Sequence, residues 1–407
     1  MMKLQAIEGT LMHFSNDICI IGGAGHVGLP LGITFANIGK RVVLYDVNSK
    51  VIESIRQGNM PFIEYDAEPI LKKVINKTLF LTSDINQIKT AQYIIVAIGT
   101  PVDEYLNPKL KALIDLFIQM RPYISPEQTI IIRSTVYPRT CGQILNTLSK
   151  DASGPWHIAY CPERIIQGYA IRELRELPQL VAGLSDKALN DASQLFGQIS
   201  PKIIQVSIEE AELAKLFTNA WRYIQFAMAN QFYMISAGFD VDFNKVRRAI
   251  VDGYGRAYGL PSAGFAAGPC LLKDTLQLAA FNNNNFLLGH AAMTVNEGLP
   301  GFIVEQLRAK YDLSKKKVGI LGMTFKADID DTRDSLSYKL GKILRFYGAE
   351  VLYSDEFAKD PTFINKEELV RSSDIIIVGV PHTAYKTLKV PKSAEVVDLW
   401  RILPEGH

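Results

Sequence analysis

Between Asp17 and about Ser134, short apolar runs alternate with amphipathic stretches. Ile18-Cys19-Ile20-Ile21 reads as a strand, followed by a glycine turn and a helix from Leu29 to about Gly39. Further strands are predicted over Arg41 to Asp46, Gln92 to Ile98 and Ile130 to Ile132, and another over His157 to Cys161. Apolar runs of this length separated by helices predict a parallel sheet with crossover connections. From Ile208 to Gly238 the period changes: Leu213, Leu216, Phe217, Ala220, Ile224, Ala227 and Met228 recur at helical spacing. This long helix is apolar on more than one face, so it is expected to cross a domain centre or a subunit interface. Leu260 to Pro269 is rich in glycine and proline and reads as loop.

The opening pattern then returns. Val318-Gly319-Ile320-Leu321-Gly322 echoes Ile18 to Gly22, and Val351 to Asp355 echoes the strand that ends at Asp46. Asp374 to Gly379 echoes Tyr93 to Gly99, and Lys315-Lys316-Lys317 marks the entry as a solvated linker. The expected fold is α/β: two Rossmann-like, doubly wound parallel-sheet domains joined by a central helical domain with a long helix. The boundaries are placed at 1–205, 206–305 and 306–407.

Of the 407 residues, 48% are hydrophobic and 21% charged, enough to bury several cores and too apolar for a disordered chain. Basic and acidic residues number 44 and 42, so charge makes no case for nucleic acid as a partner. No apolar run approaches the ~20 residues of a membrane helix, and Met1 to Asp17, with Glu8 and His13, lacks a signal-peptide hydrophobic segment. Four cysteines (Cys19, Cys141, Cys161, Cys270) form no CxxC and no paired framework. A cytoplasmic protein without metal or membrane insertion is expected, with one cysteine available for chemistry.

Gly23-Ala24-Gly25-His26-Val27-Gly28 is G-x-G-x-x-G between a strand and a helix, where glycines let the backbone approach a pyrophosphate. Asp46, 18 residues beyond Gly28, is placed to accept ribose hydroxyls and to repel a 2′-phosphate, which favours NAD. The second unit lacks the fingerprint. There Lys326 and Arg333 are cations that could meet phosphates, and Phe325 an aromatic face that could meet a base. Lys215 and Asn219 share one helix face and could stabilise an oxyanion and orient a water, or simply be a snorkelling lysine and a surface amide. Cys270 lies beside Lys273 and Asp274, a setting for a nucleophilic thiol and a base, although a small packing cysteine fits too. Glu163 follows a strand end, where a carboxylate points into a ligand crevice or caps a turn.

Taken in order, GGAGHVGLPLG (22–32), STVYPRT (134–140), CPERIIQGYAIREL (161–174), AELAKLFTNAWR (211–222), GFAAGPCLLKD (264–274) and KVGILGMTFKADIDDTRDS (317–335) resemble the UDP-glucose/GDP-mannose dehydrogenase family. The resemblance implies an NAD domain, a dimerising central helix and a nucleotide-sugar domain. It implies a four-electron oxidation of a sugar C6 alcohol to a carboxylate with two NAD. Cys270 is similar to the nucleophile that forms a thiohemiacetal and then a thioester. Lys215 and Asn219 would stabilise oxyanions, Asp274 and Glu163 handle water and protons, and Thr135 support the water or cofactor. Gly23, Gly25, His26, Val27, Gly28, Asp46, Thr100 and Thr135 would hold NAD. Glu163, Lys215, Asn219, Phe265, Gly268, Phe325, Lys326 and Arg333 would hold the sugar nucleotide, with Arg256 reaching from a neighbouring subunit.

Two positions depart from the family's pattern. Pro269 precedes the cysteine and removes a backbone donor, and Gln167 stands where some relatives have Glu or Pro. The implied partners are a UDP-sugar and a second copy of the chain. UDP-glucose, UDP-N-acetylglucosamine and UDP-N-acetylmannosamine all remain open, with the 161–179 stretch closer to the N-acetylhexosamine branch. A two-electron β-hydroxyacid-type dehydrogenase and an inactive nucleotide-sugar binder are the competing readings.

Overall fold

The computed structural model describes residues 14–100, 110–150 and 154–404. The start of the chain that was read for a signal segment, Glu8 and His13 included, lies outside the described residues. The chain divides into two units, with the boundary between Lys215 and Leu216 inside the long helix.

The first unit holds a sheet of eight strands: β1 (Asn16–Ile21), β2 (Val42–Tyr45), β3 (Leu79–Thr82), β4 (Ala91–Val96), β5 (Thr129–Ile132), β6 (His157–Tyr160), β7 (Gln179–Gly183) and β8 (Ile203–Gln205). Their order is β3-β2-β1-β4-β5-β6-β7-β8, with the chain reversing direction across the sheet between β1 and β4. The two-residue period of a strand is visible in β1. Ile18 and Ile20 enter the core on one face, with Leu29 and Phe35, while Cys19 and Ile21 enter the core on the other, with Phe117 and Ile144. Burial on both faces is why the strand sequences read as unbroken apolar runs. One pairing departs from the expected parallel pattern: β7 runs antiparallel to β6. The connection from Tyr160 to Gln179 carries only the short helix Ala170–Glu176 and returns at the end of the sheet it left, so no crossover forms.

The long helix spans Ile208–Gly238, the bounds its periodicity predicts. On the part within the second unit, Phe217, Trp221, Met228, Phe232 and Ile235 are exposed, as is Phe239 just past the helix end. They recur every three, four or seven residues and so form one apolar stripe. A second long helix, Leu287–Lys310, carries Pro300 in its interior. The smaller sheet has four parallel strands, β9 (Lys317–Leu321), β10 (Glu350–Ser354), β11 (Ile375–Val378) and β12 (Glu395–Val397), in the order β10-β9-β11-β12.

The internal echo is structural as well as sequential. Gly22 after β1 has φ 77° and donates its N–H to Tyr45, while Gly322 after β9 has φ 90° and donates to Ser354. Left-handed φ at both positions is what glycine permits. Among the described residues no helix is long and apolar enough to cross a membrane.

Candidate active site

The three fingerprint glycines have separate reasons to lack a side chain. A Cβ on Gly23 would lie 2.6 Å from the Leu44 Cβ, and one on Gly28 would strike the Gly22 carbonyl oxygen. Those two glycines let strand, turn and helix pack. A Cβ on Gly25 would meet only the Gly22 carbonyl oxygen, at 3.5 Å, an ordinary contact. Among the described residues nothing demands glycine there, and an approaching pyrophosphate does. The following helix, Gly28–Asn37, starts without a side-chain cap and without an acidic residue in its first turn, which leaves its N-terminal N–H groups suited to an anion. Val27 is the N-cap residue, and the His26 ring lies 3.9 Å from that of Phe62.

Asp46 is half-buried just beyond β2. Its Oδ2 accepts the Ala24 N–H and its Oδ1 the Asn48 N–H, both at 3.0 Å. The carboxylate is thereby fixed against the glycine turn with acceptor capacity left for two hydroxyls. These residues fit a dinucleotide.

At the ends of the neighbouring strands, the Thr100 hydroxyl donates to the Thr135 carbonyl oxygen at 2.8 Å, and Ser134 Oγ donates to Ile98 at 2.7 Å. These bonds tie the two loops that follow β4 and β5. Glu163 is buried, and its Oε1 accepts the N–H groups of Arg164 at 2.7 Å and Ile165 at 2.9 Å. Its other oxygen pairs with Arg133, which is 1% exposed. Arg133 also donates to the Cys161 carbonyl and to Gln179, and sits over the Phe196 ring. Such a buried, multiply bonded ion pair shapes the loop after β6; in this arrangement Glu163 is an anchor for the loop.

Two buried groups share the start of the long helix. Glu212, with no exposed surface, accepts the N–H groups of Arg139 at 2.6 Å and Cys141 at 2.9 Å. It thereby serves as the cap of helix Thr140–Ser149, whose N-cap residue Arg139 has φ 71° and provides no side-chain cap. Lys215, one turn further on, is 8% exposed and makes no ion pair among the described residues.

In the second unit, Asn219 donates to Asp274 Oδ2 at 2.5 Å, both side chains being buried. Lys273 lies 3.4 Å from the other Asp274 oxygen. Cys270 is the N-cap residue of helix Leu271–Phe281, which carries Asp274 in its first turn. Of the four cysteines it alone is exposed. Burial pushes the thiols of Cys19 and Cys161 up to about 12. Burial, and then the nearby Glu212 carboxylate, push Cys141 up as well. These three are packing residues, as their sequence positions predict.

The nucleotide side of the expected site gathers around the same thiol. Gly268 has φ 98°, and a Cβ there would lie 2.5 Å from the Phe325 ring. The Gly268 N–H points to the Asp334 carbonyl at 3.4 Å. Arg333 is held by Asp331 through Nε at 3.0 Å and a terminal nitrogen at 2.5 Å. Chiefly that bond, and in smaller part the Cys270 sulfur, hold its guanidinium proton more tightly than usual. Cys270, Gly268, Phe325 and Arg333 are therefore neighbours. Lys326 is half-buried beside Phe325. Phe265 instead lies in the hydrophobic core with Phe243 and Leu299, and Arg256 is exposed, its guanidinium 4.9 Å from the Tyr254 ring.

Arg133, Glu212, His382 and Asp355 are polar groups of this architecture that sequence reading does not single out. Asp355 alone had a signal, its place at the end of the strand that echoes β2. Among the described residues no His, Cys, Asp and Glu side chains cluster so as to hold a metal ion.

Three domain profiles of one family match the sequence in order: the NAD binding domain over residues 16–200, the central domain over 209–298 and the UDP binding domain over 319–405. The UDP-N-acetyl-D-mannosamine dehydrogenase of Methanocaldococcus jannaschii is 28% identical over 382 residues, covering 91% of this chain and 86% of that protein. The UDP-glucose 6-dehydrogenase of Haloferax volcanii is also 28% identical, over 84% of each chain. The solved structure of the UDP-D-ManNAc dehydrogenase from Pyrococcus horikoshii superposes with a TM-score of 0.87 at 27% identity, covering 96% of both chains. With its glycine turn fitted to NAD and all three of the family's domains matched in order, the chain belongs to the UDP-glucose/GDP-mannose dehydrogenase family of NAD-dependent oxidoreductases.

Proposed function

We propose that the chain oxidises the C6 alcohol of UDP-N-acetyl-D-mannosamine to the uronate in two two-electron steps, with Cys270 holding the carbon between them. Bound NAD supplies the hydride acceptor for each step. The observation that carries this reading is the setting of Cys270. It is exposed at a helix N-terminus, near the Arg333 guanidinium, with an Asn219-oriented Asp274 one turn away. A helix N-terminus and a nearby cation both favour the thiolate, the form that attacks an aldehyde.

In this scheme the C6 alcohol loses a proton and a hydride to become an aldehyde. The Cys270 thiolate adds to that carbon, forming a C–S bond, and the oxygen takes up a proton as a thiohemiacetal. Loss of a second hydride and of the hydroxyl proton gives the thioester. Water then adds to the carbonyl, the C–S bond breaks, and the uronate leaves with the thiol restored. One sugar thus consumes one water and reduces two NAD. Holding the carbon on sulfur keeps the aldehyde from escaping to solvent before the second oxidation.

Pro269 brings no N–H to the loop before the thiol, so Lys215 is assigned the oxyanion, buried and without a counter-ion among the described residues. Asp274, oriented by Asn219, is assigned the hydrolytic water. Glu163 acts through the loop it anchors. Asp46, Thr100, Thr135 and the 23–28 turn hold NAD, while Phe325, Lys326, Arg333 and Gly268 receive the nucleotide sugar. The three-part division at 205/206 and 305/306 is kept for these roles.

The N-acetylmannosamine assignment is supported by the names of relatives at 26–29% identity. UDP-glucose is the second reading, favoured by the Haloferax relative. The exposed Phe217-to-Phe239 stripe is assigned to a second copy of the chain, whose Arg256 would reach the substrate. The product would feed a cell-surface polysaccharide from a cytoplasmic enzyme.

The test is a panel of purified protein with NAD and UDP-N-acetylmannosamine, UDP-N-acetylglucosamine, UDP-glucose or GDP-mannose. The highest kcat/KM is expected for UDP-N-acetylmannosamine. A higher value for UDP-glucose would replace the assignment.

A further inference from the structure

The loop from Thr324 to Asp328 carries Phe325 and Lys326 and follows β9 where the first unit has its glycine fingerprint. It has no such fingerprint, and a separate device shapes it. His382, with no exposed surface, lies against both ends of the loop. Its Nδ1 accepts the Asp328 backbone N–H at 2.9 Å. Its Nε2 lies 3.0 Å from Asp355 Oδ2 and 3.3 Å from Thr324 Oγ1. A backbone N–H can only donate, so Nδ1 carries no proton and Nε2–H faces the carboxylate.

The neighbouring residue closes the clasp from outside. Thr383 donates its N–H to Asp328 Oδ1 at 2.8 Å and its hydroxyl to Oδ2 at 2.6 Å. Asp328 is thereby held at φ 58°, a left-handed conformation that needs local support in a residue other than glycine. Within the loop, Thr324 Oγ1 donates to the Lys326 carbonyl at 2.9 Å, and the Phe325 N–H donates to the Asp331 carbonyl at 3.0 Å. Aromatic rings of Phe357 and Tyr385, with centroids 5.0 and 5.3 Å away, fix the plane of the imidazole.

We infer that His382 is a positioning residue for nucleotide recognition. Through Nδ1 it fixes Asp328, and with it the backbone that presents Phe325 and Lys326 to the uridine diphosphate part of the substrate. Binding then avoids the entropy of ordering a loop. This inference rests on the reading of the second unit as the nucleotide-binding unit.

The two nitrogens have different duties, and two substitutions separate them. His382→Gln can place an amide N–H near the Nε2 position, facing Asp355, and removes the acceptor for Asp328. His382→Asn keeps an acceptor near the Nδ1 position and leaves Asp355 without its partner. Binding of UDP itself to the full-length enzyme is measured by calorimetry, alongside thermal midpoints and steady-state kinetics.

His382→Gln is expected to weaken UDP binding roughly tenfold, the loss of about one buried hydrogen bond. The KM for the sugar nucleotide should rise in parallel, with kcat and NAD affinity unchanged. His382→Asn is expected to melt lower and yet bind UDP more tightly than His382→Gln. UDP affinity that simply follows the thermal midpoint in both variants, or kcat and NAD affinity that fall together with it, would overturn the inference.

Should either variant fail to fold, Thr383→Val, at a surface position, removes the hydroxyl bond to Asp328 Oδ2 and keeps the backbone N–H bond to Oδ1. It is expected to raise the KM for the sugar nucleotide by about twofold to threefold, and an unchanged KM counts against the inference. A wild-type enzyme that does not bind UDP would instead overturn the reading of the second unit, and the inference with it.

Discussion

The strand–turn–strand after β1 and the one after β9 are built alike and use the same corner of the fold differently. After β1, the carboxylate at the end of the next strand, Asp46, takes two backbone N–H groups from the described residues and remains half-buried. After β9, its counterpart Asp355 takes five donors. Met323 and Thr324 N–H and the His382 ring meet Oδ2, and Phe357 and Ala358 N–H meet Oδ1. The Asp355 side chain is sealed from solvent. In the proposed scheme the first carboxylate is kept for hydroxyls of a ligand, whereas the second is part of the structure. On that proposal a duplicated strand–turn–strand serves as a cofactor site where the carboxylate is left unsaturated, and as a loop scaffold where a histidine saturates it.

Stability measurements should separate the pair most strongly. Asp355→Ala strands buried donors and is expected to cost about 3–5 kcal/mol, read as a lowered urea midpoint. Asp46→Ala should move that midpoint little. Equal losses would erase the distinction between ligand carboxylate and structural carboxylate.

Cofactor binding should show the opposite order. Asp46→Ala is expected to weaken NAD binding about 10- to 100-fold and to reduce the preference for NAD over NADP, as loss of charge-assisted hydrogen bonds predicts. Asp355→Ala should leave NAD affinity unchanged in the folded fraction. An unaltered NAD-to-NADP ratio in Asp46→Ala would remove that residue from the ribose site.

A smaller effect follows with pH. Burial pushes the Asp355 carboxyl up, but the hydrogen bond from the His382 ring and the backbone N–H groups of Ala358 and Met323 outweigh it and hold it below the usual range. The stabilisation is therefore fully present above the unfolded value near ~3.9 and is lost as pH falls through the depressed folded value. The difference in urea midpoint between wild type and Asp355→Ala should be constant above about pH 5 and narrow below about pH 4. A gap that instead narrows toward neutral pH would mean that another group carries the effect.

Elements with a strong period were legible in the sequence. The long helix appears with both expected ends, and the apolar runs at Ile18, Ile94, Ile130 and Ile375 are central strands. The reversed β7 and the three-residue β8 were not read, because runs so short, and in β7 bounded by Gln179 and Gly183, carry little periodicity. Cys270 could be told from the other cysteines by its loop, and the structure leaves it as the exposed one. The polar anchors could not be found this way. Arg133 meets Glu163 across 30 residues, Glu212 meets Arg139 across 73, and His382 meets Asp328 across 54. No periodicity records such meetings; only the finished topology brings these groups together. The same applies to Glu163, whose sequence position suggests catalysis while its contacts are those of an anchor.

The central claim is that Cys270 joins two oxidations into one turnover, and its most direct test counts NADH formed per UDP-sugar consumed by the wild-type enzyme. Two NADH per sugar, with full turnover abolished in Cys270→Ser, is the expected result. One NADH per sugar with free aldehyde released, or an unimpaired Cys270→Ser enzyme, would contradict it.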